Sequence, residues 1–241
     1  VTTNRPPASA QEIATLIDHT LLKPDATETD ITAVCRQALE FQFASVCVNP
    51  VWVPLVHSHL AHSRVKTCSV VGFPLGANRT SLKVEETRLA AAEGASEIDM
   101  VINVGALRSS HSALVGDEIQ QIAERAHTSG AILKVILETC LLTDDQKILA
   151  CTLARDAGAD FVKTSTGFST GGATEADIKL MRATVGPAMG VKASGGVRTL
   201  DALQRMVHAG ATRIGTSSGA QIIAEFLAGT SSSEAEAGGR Y

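Results

Sequence analysis

Three lysines stand inside short apolar runs in the second half of the chain: Lys134 in ILKVILET (132–139), Lys163 in DFVKTSTG (160–167) and Lys192 in GVKASGGV (190–197). Each run reads as a buried strand, where an ammonium is costly unless it is paired, reaches water or loses its proton. Any one of them alone could be a strand-end residue snorkelling to water or pairing with an acid. Recurrence on three consecutive strand-like runs argues for more. Three ammoniums in one sector repel one another, and repulsion and desolvation together are expected to push at least one toward the neutral amine. At pH 7 that takes a fall of about three units, or about 4 kcal/mol. One neighbouring ammonium at ~4 Å supplies that much in an effective dielectric of ~20. A neutral amine is a nucleophile, and its natural electrophile is a carbonyl, giving a Schiff base.

Acids accompany the lysines in other apolar runs. Asp18 lies in LIDHT (16–20), Asp99 and Asn103 in SEIDMVIN (96–103), and Glu138 in the run that carries Lys134. Strand alternation puts Asp99, Val101 and Asn103 on one face, and Lys163 with Ser165 on one face. Two further stretches, SGGV (194–197) and GTSSG (215–219), close the last two strand-like runs. Glycine allows close backbone approach and the serines add hydroxyl donors, so together they suit a phosphate cradle; either alone could be only a tight turn.

The elements that must position these groups alternate along the chain. Eight short β-branched runs, at 16–20, 43–50, 66–74, 96–103, 132–139, 160–167, 190–197 and 213–219, are separated by alanine-rich, helix-like segments such as 81–94, 144–158 and 199–210. Gly94, Gly158 and Gly210 sit at plausible helix ends. A repeat of about 30 residues is one βαβ module, and eight of them predict a single (β/α)8 barrel, an α/β fold of about 250 residues. The absence of GxGxxG after the first strand weakens a doubly wound dinucleotide-binding sheet. In such barrels the chemistry sits at the C-terminal ends of the strands, where the last two loops often hold phosphate. The barrel is expected over 10–229, with polar tails at 1–9 and 230–241 read as disordered.

Composition excludes several classes. The 241 residues are 44% hydrophobic and 19% charged, with a formal net charge of -4 and no basic block, so nucleic acid is not an expected partner. No apolar run approaches ~20 residues, and the first ten residues lack a signal-peptide core, so no membrane is expected. Five cysteines without CxxC spacing read as reduced thiols of a cytoplasmic protein. His57, His59 and His62 share one helix-like segment without carboxylates of the barrel mouth beside them, which favours a solvated face over a metal site.

Eight motifs in order carry a resemblance: IDHTLLKP (17–24), SVCVNP (45–50), VVGFPLG (70–76), EIDMVINVG (97–105), LKVILET (133–139), DFVKTSTGF (160–168), VKASGGVR (191–198) and IGTSSG (214–219). The chain resembles the deoxyribose-phosphate aldolase family of class I aldolases. The resemblance implies reversible cleavage of 2-deoxy-D-ribose 5-phosphate to acetaldehyde and D-glyceraldehyde 3-phosphate. It implies that Lys163 forms the Schiff base, Lys192 is the neighbouring cation, Asp99 is the proton shuttle, and Asp18 and Lys134 complete the polar network. Cys47 would lie near the site. Thr166, Gly167, Gly195, Gly196, Gly215, Ser217 and Ser218 would hold substrate and phosphate. Some members carry a lysine where this chain has Phe168, so phosphate binding is expected to lean on backbone groups. No cofactor and no metal are expected, because the iminium takes the electrons that a metal-bound enolate would need. Tyr241, the only tyrosine, would relay a proton from the tail, as the terminal tyrosine of some members suggests. Expected partners are a phosphorylated sugar and aldehydes, with assembly as a homodimer or other homo-oligomer. A Schiff-base barrel aldolase for another sugar phosphate and a non-catalytic phosphosugar-binding barrel are the competing readings.

Overall fold

A computed structural model describes the backbone of residues 7–237 and the side chains of 7–229. Eight parallel strands close into a barrel: β1 (Ile17–Leu21), β2 (Ser45–Val48), β3 (Lys66–Val71), β4 (Glu97–Val101), β5 (Ile132–Ile136), β6 (Phe161–Lys163), β7 (Gly190–Ser194) and β8 (Arg213–Thr216). Each strand pairs with the next, and β1 pairs back onto β8 with Asp18 beside Gly215. The (β/α)8 architecture read from the strand–helix alternation is the observed one.

The surrounding helices are α1 (Ala10–Ala14), α2 (Glu28–Phe41), α3 (Val53–Leu60), α4 (Thr80–Ala92), α5 (Val104–Arg108), α6 (Ser112–Thr128), α7 (Asp144–Asp156), α8 (Glu175–Val185), α9 (Leu200–Ala209) and α10 (Gly219–Ala237). Their starts follow from the sequence. Thr27 and Asp30 form a capping box on α2, Thr143 and Gln146 one on α7, and Thr174 and Thr199 cap α8 and α9.

Alternation along the strands divides the interior into two regions. Val46, Val48, Ile98, Met100, Leu133, Val135, Val162, Val191 and Ile214 pack outward with the helices in one continuous core. Apolar residues of the lumen include a small cluster, Leu22, Cys47, Cys68 and Val70 with Phe73 against it. Charged side chains fill much of the rest.

Three sequence expectations change in detail. Asn103 and Glu138 lie beyond the ends of β4 and β5 rather than inside strands. Asn103 caps α5 by accepting from the Ala106 N–H at 2.9 Å, and Glu138 turns the chain at a left-handed φ of 57°. Of the expected N-terminal tail, Pro7 is buried and Ser9 caps α1, accepting from the Glu12 N–H at 3.1 Å; residues 1–6 lie outside the described part. The helix α10 runs on to Ala237, into the expected C-terminal tail, because alanine and glutamate in SEAEA readily extend a helix already nucleated.

Candidate active site

The site grows from inward-facing residues of β1, β4, β5, β6, β7 and β8. Asp99, fully buried on β4, is its hub. Its Oδ2 accepts from Lys163 and from Lys192, each at 2.7 Å, and its Oδ1 accepts from Lys134 at 2.7 Å. Lys134 also reaches Glu97 at 2.6 Å and Asp18 at 3.5 Å, and Lys192 is ion-paired with Asp18. Arg213 closes the cluster from β8, donating to Asp18 at 2.7 Å and lying 3.2 Å from Glu97. The Ser45 hydroxyl donates to Asp18 at 2.7 Å, and the Cys68 thiol to Asp99 at 3.2 Å.

Acids facing the lysines across the ring, which the sequence reading did not weigh, keep two of the three charged. Burial alone would strip the proton from Lys134, but Asp99, Cys68, Glu97 and Asp18 overcome it and hold the ammonium well above its usual range. Lys192 is raised in the same way: burial opposes, and Asp18 and Asp99 win. The acids respond in kind. Burial would raise the Asp99 carboxyl, yet the fields of Lys134, Lys163 and Lys192 keep it well below the usual carboxylate range, and Asp18 is held down similarly. The group holds four cations, Lys134, Lys163, Lys192 and Arg213, against three carboxylates, Asp18, Glu97 and Asp99. One proton fewer would balance it. Lys163 has one carboxylate partner, whereas Lys192 has two and Lys134 three, so Lys163 is the least held of the three lysines.

Above the cluster opens a cavity of about 300 Å³ that Lys163 enters from below. Thr166, Gly167, Gly195, Gly196, Gly215 and Ser217 line it, as the sequence suggested. Gly195 and Gly196 both sit at φ 84°, a conformation that favours glycine and leaves their backbone bare toward the cavity. Gly215 has a different reason: a Cβ there would stand 3.0 Å from the Lys192 side chain, so glycine makes room for that lysine. Thr166 is tied down by Glu138, whose carboxylate accepts its hydroxyl at 2.5 Å and its N–H at 3.3 Å. Ser218 does not line the cavity; its N–H is spent on the Thr216 hydroxyl at 3.0 Å. Cys47 lies under the cavity, next to Cys68 in the β2–β3 register. Tyr241 lies outside the described residues.

Four charged residues escaped the sequence reading. Glu97 could have been found, since it is two residues before Asp99 and shares its face. Arg213, at the start of a strand, carried no such signal. Lys23 and Arg198 line the cavity and add positive charge to a mouth expected to rely on backbone groups. Among the described residues the group suited to a metal is Cys47, Cys68 and Asp99. Both Asp99 oxygens already serve ammoniums, so a cation there would meet like charge on three sides.

A model of the DeoC/LacD family aldolases matches residues 13–231. The chain belongs to that family. The aldolase is 56% identical over 212 residues to the deoxyribose-phosphate aldolase of Clostridium botulinum, covering 88% of this chain and 99% of the relative. It is 58% identical over 207 residues to that of Streptococcus gordonii, covering 86% and 93%. Its fold superposes on the tetrameric deoxyribose phosphate aldolase of Aeropyrum pernix with a TM-score of 0.87 at 37% identity, over 92% of this chain and 94% of the other. Among the described residues no helix is long and apolar enough to cross a membrane.

Proposed function

We propose that the chain is a deoxyribose-phosphate aldolase, cleaving 2-deoxy-D-ribose 5-phosphate reversibly to acetaldehyde and D-glyceraldehyde 3-phosphate through a Schiff base on Lys163. The observation that carries this reading is that Lys163 and Lys192 share one oxygen of Asp99, at 2.7 Å each, directly below the cavity. Lys163 as the neutral amine attacks C1 of the open-chain sugar, and loss of water gives the iminium. Removal of the C3 hydroxyl proton lets the C2–C3 electrons flow into the iminium, releasing glyceraldehyde 3-phosphate and leaving an enamine. A proton added at C2 and hydrolysis then free acetaldehyde and the lysine.

Asp99 with Lys192 is the proton shuttle nearest the iminium nitrogen, while Asp18 and Lys134 hold both in place. Phosphate binds to the backbone at Gly167, Gly195, Gly196 and Gly215 and to Ser217, with Lys23 and Arg198 as counter-charges. Ser218 braces the cavity edge by donating its N–H to the Thr216 hydroxyl, and Cys47 lies lower, beside Cys68. The iminium takes the electrons that a metal-bound enolate would need, and both Asp99 oxygens already serve lysines, so the reaction runs without metal or cofactor. Exposed Leu82, Leu89 and Leu114 on α4 and α6 support assembly as a homo-oligomer, and the five free cysteines a reducing, cytoplasmic setting.

The test is cleavage of deoxyribose 5-phosphate in excess chelator, together with borohydride reduction in the presence of acetaldehyde. Cleavage should persist, and peptide mapping should find a two-carbon adduct on Lys163 that Lys163→Ala abolishes. An adduct on Lys134 or Lys192, or activity that chelation removes and zinc restores, would sink the reading.

A further inference from the structure

Below the nucleophile the lumen continues as a column of alternating charge. Lys163 meets Asp99, Asp99 meets Lys134, Lys134 meets Glu97, and Glu97 meets Arg213 at the other end of the barrel. A second branch runs from Arg213 through Asp18 to Lys192 and back to Asp99. Arg213 also lies over the Phe161 ring, 5.4 Å from its centre, and Phe161 can turn inward there because Gly190 has no Cβ to meet it. The side chains are 15% exposed at Arg213, 6% at Glu97 and fully buried from Lys134 to Asp99, so salt screens this column poorly.

Resting on the Schiff-base reading, we propose that Arg213 and Glu97 are positioning residues that act from the far end of the barrel. They fix the net charge of the sealed cluster, and with it the acid limb of Lys163's reaction with carbonyls. Arg213 is the fourth cation against three carboxylates. Without it three lysines face three carboxylates, and the excess of positive charge is gone. Without Glu97 the excess doubles. Neither residue lines the cavity. The remaining titratable groups of the lumen are Lys192 from β7, Asp18 from β1, and the thiols of Cys47 and Cys68 from β2 and β3. Burial and Cys47 push the Cys68 thiol well up, while its hydrogen bond to Cys68 lowers Cys47 against burial. Glu138 at the mouth is engaged by Thr166.

The experiment compares the full chain with Arg213→Met, Glu97→Gln, the double variant and Arg213→Lys. Each is exposed briefly to acetaldehyde between pH 5 and 9 and quenched into borohydride, and the adduct on Lys163 is quantified. A unit charge on the order of 10 Å away, in an effective dielectric of ~20, moves the limb by about one pH unit. Arg213→Met should move it up by that amount and Glu97→Gln down. The double variant should return close to the parent, and Arg213→Lys should stay with it. A Cys47→Ser background should leave these shifts in place. The opposite signs separate charge from packing, since a merely structural loss lowers the yield in both variants without moving the limb. Shifts of one sign, no shift, or a double variant that fails to return would overturn the inference. If one single variant does not fold, the shift of the other and its reversal in the double variant still decide. No adduct in the parent chain would instead remove the Schiff-base reading itself.

Discussion

Replacing Lys192 with leucine removes one ammonium from the pair that shares Asp99 Oδ2. Two groups each 2.7 Å from one oxygen are at most about 5.4 Å apart, and at ~5 Å in an effective dielectric of ~20 their repulsion is about 3 kcal/mol. That corresponds to somewhat more than two pH units. Without Lys192, Lys163 is the sole cation on that oxygen and the repulsion is gone. Schiff-base formation with acetaldehyde should therefore slow by about a hundredfold at pH 7 and recover in large part near pH 9 to 10. The assay is the stopped-flow rate of adduct formation against pH, with the fold checked by circular dichroism at each point. Lys192→Arg keeps the charge, but the planar guanidinium cannot occupy the space that Gly215 leaves for a slender chain, so it should remain impaired. A folded Lys192→Leu protein whose rate falls equally at every pH would refute the electrostatic reasoning.

Lys83, buried between α4 and β4, donates to Glu118 at 2.7 Å and to the Val101 carbonyl at 2.8 Å. Lys83→Met should cost about 3–5 kcal/mol in urea denaturation by stranding the Glu118 carboxylate, and adding Glu118→Leu should recover part of it. Acid should destabilise the protein steeply. Asp18 and Asp99 have folded values depressed below the unfolded ~3.9, so their stabilisation is present above pH ~4 and lost as pH falls below it. Asp99→Asn should reduce the slope of stability against pH in that range by up to ~1.4 kcal/mol per unit, and parallel slopes would contradict this. Deleting Tyr241 should lower turnover and slow deuterium exchange into acetaldehyde in parallel, with an unchanged melting temperature; full activity in the truncated chain would leave Tyr241 no role.

The barrel was legible because its two periods are both local. Strand alternation shows in SEIDMVIN and ILKVILET, and helix starts show at Thr27 and Thr143, where the cap and its partner lie three residues apart. The lysines stood out for the same reason, as charges where a strand pattern calls for apolar residues. What escaped depends on closure of the ring. Arg213 and Glu97 are 116 residues apart: alternation with Asp99 already aims Glu97 into the lumen, but Arg213 reads as an ordinary polar strand start until β8 closes on β1. Asn103 and Glu138 were assigned to strands because their neighbours Ile102 and Leu137 are apolar; both of those residues are buried beyond the strand ends. The charge held on Lys134 and Lys192 escaped because repulsion between lysines on neighbouring strands was weighed without the acids that face them across the ring.

Charge in the lumen and hydrocarbon in the shell respond differently to heat. Between strands and helices, the hydrophobic gain per unit area levels off as temperature rises. Inside the ring the cost of keeping ions from water declines, because ion hydration carries a strongly negative entropy. Warming therefore favours the lumen relative to the shell. The two layers of one barrel thus draw on forces of opposite temperature dependence, so its electrostatic centre gains weight in holding the fold as the temperature climbs.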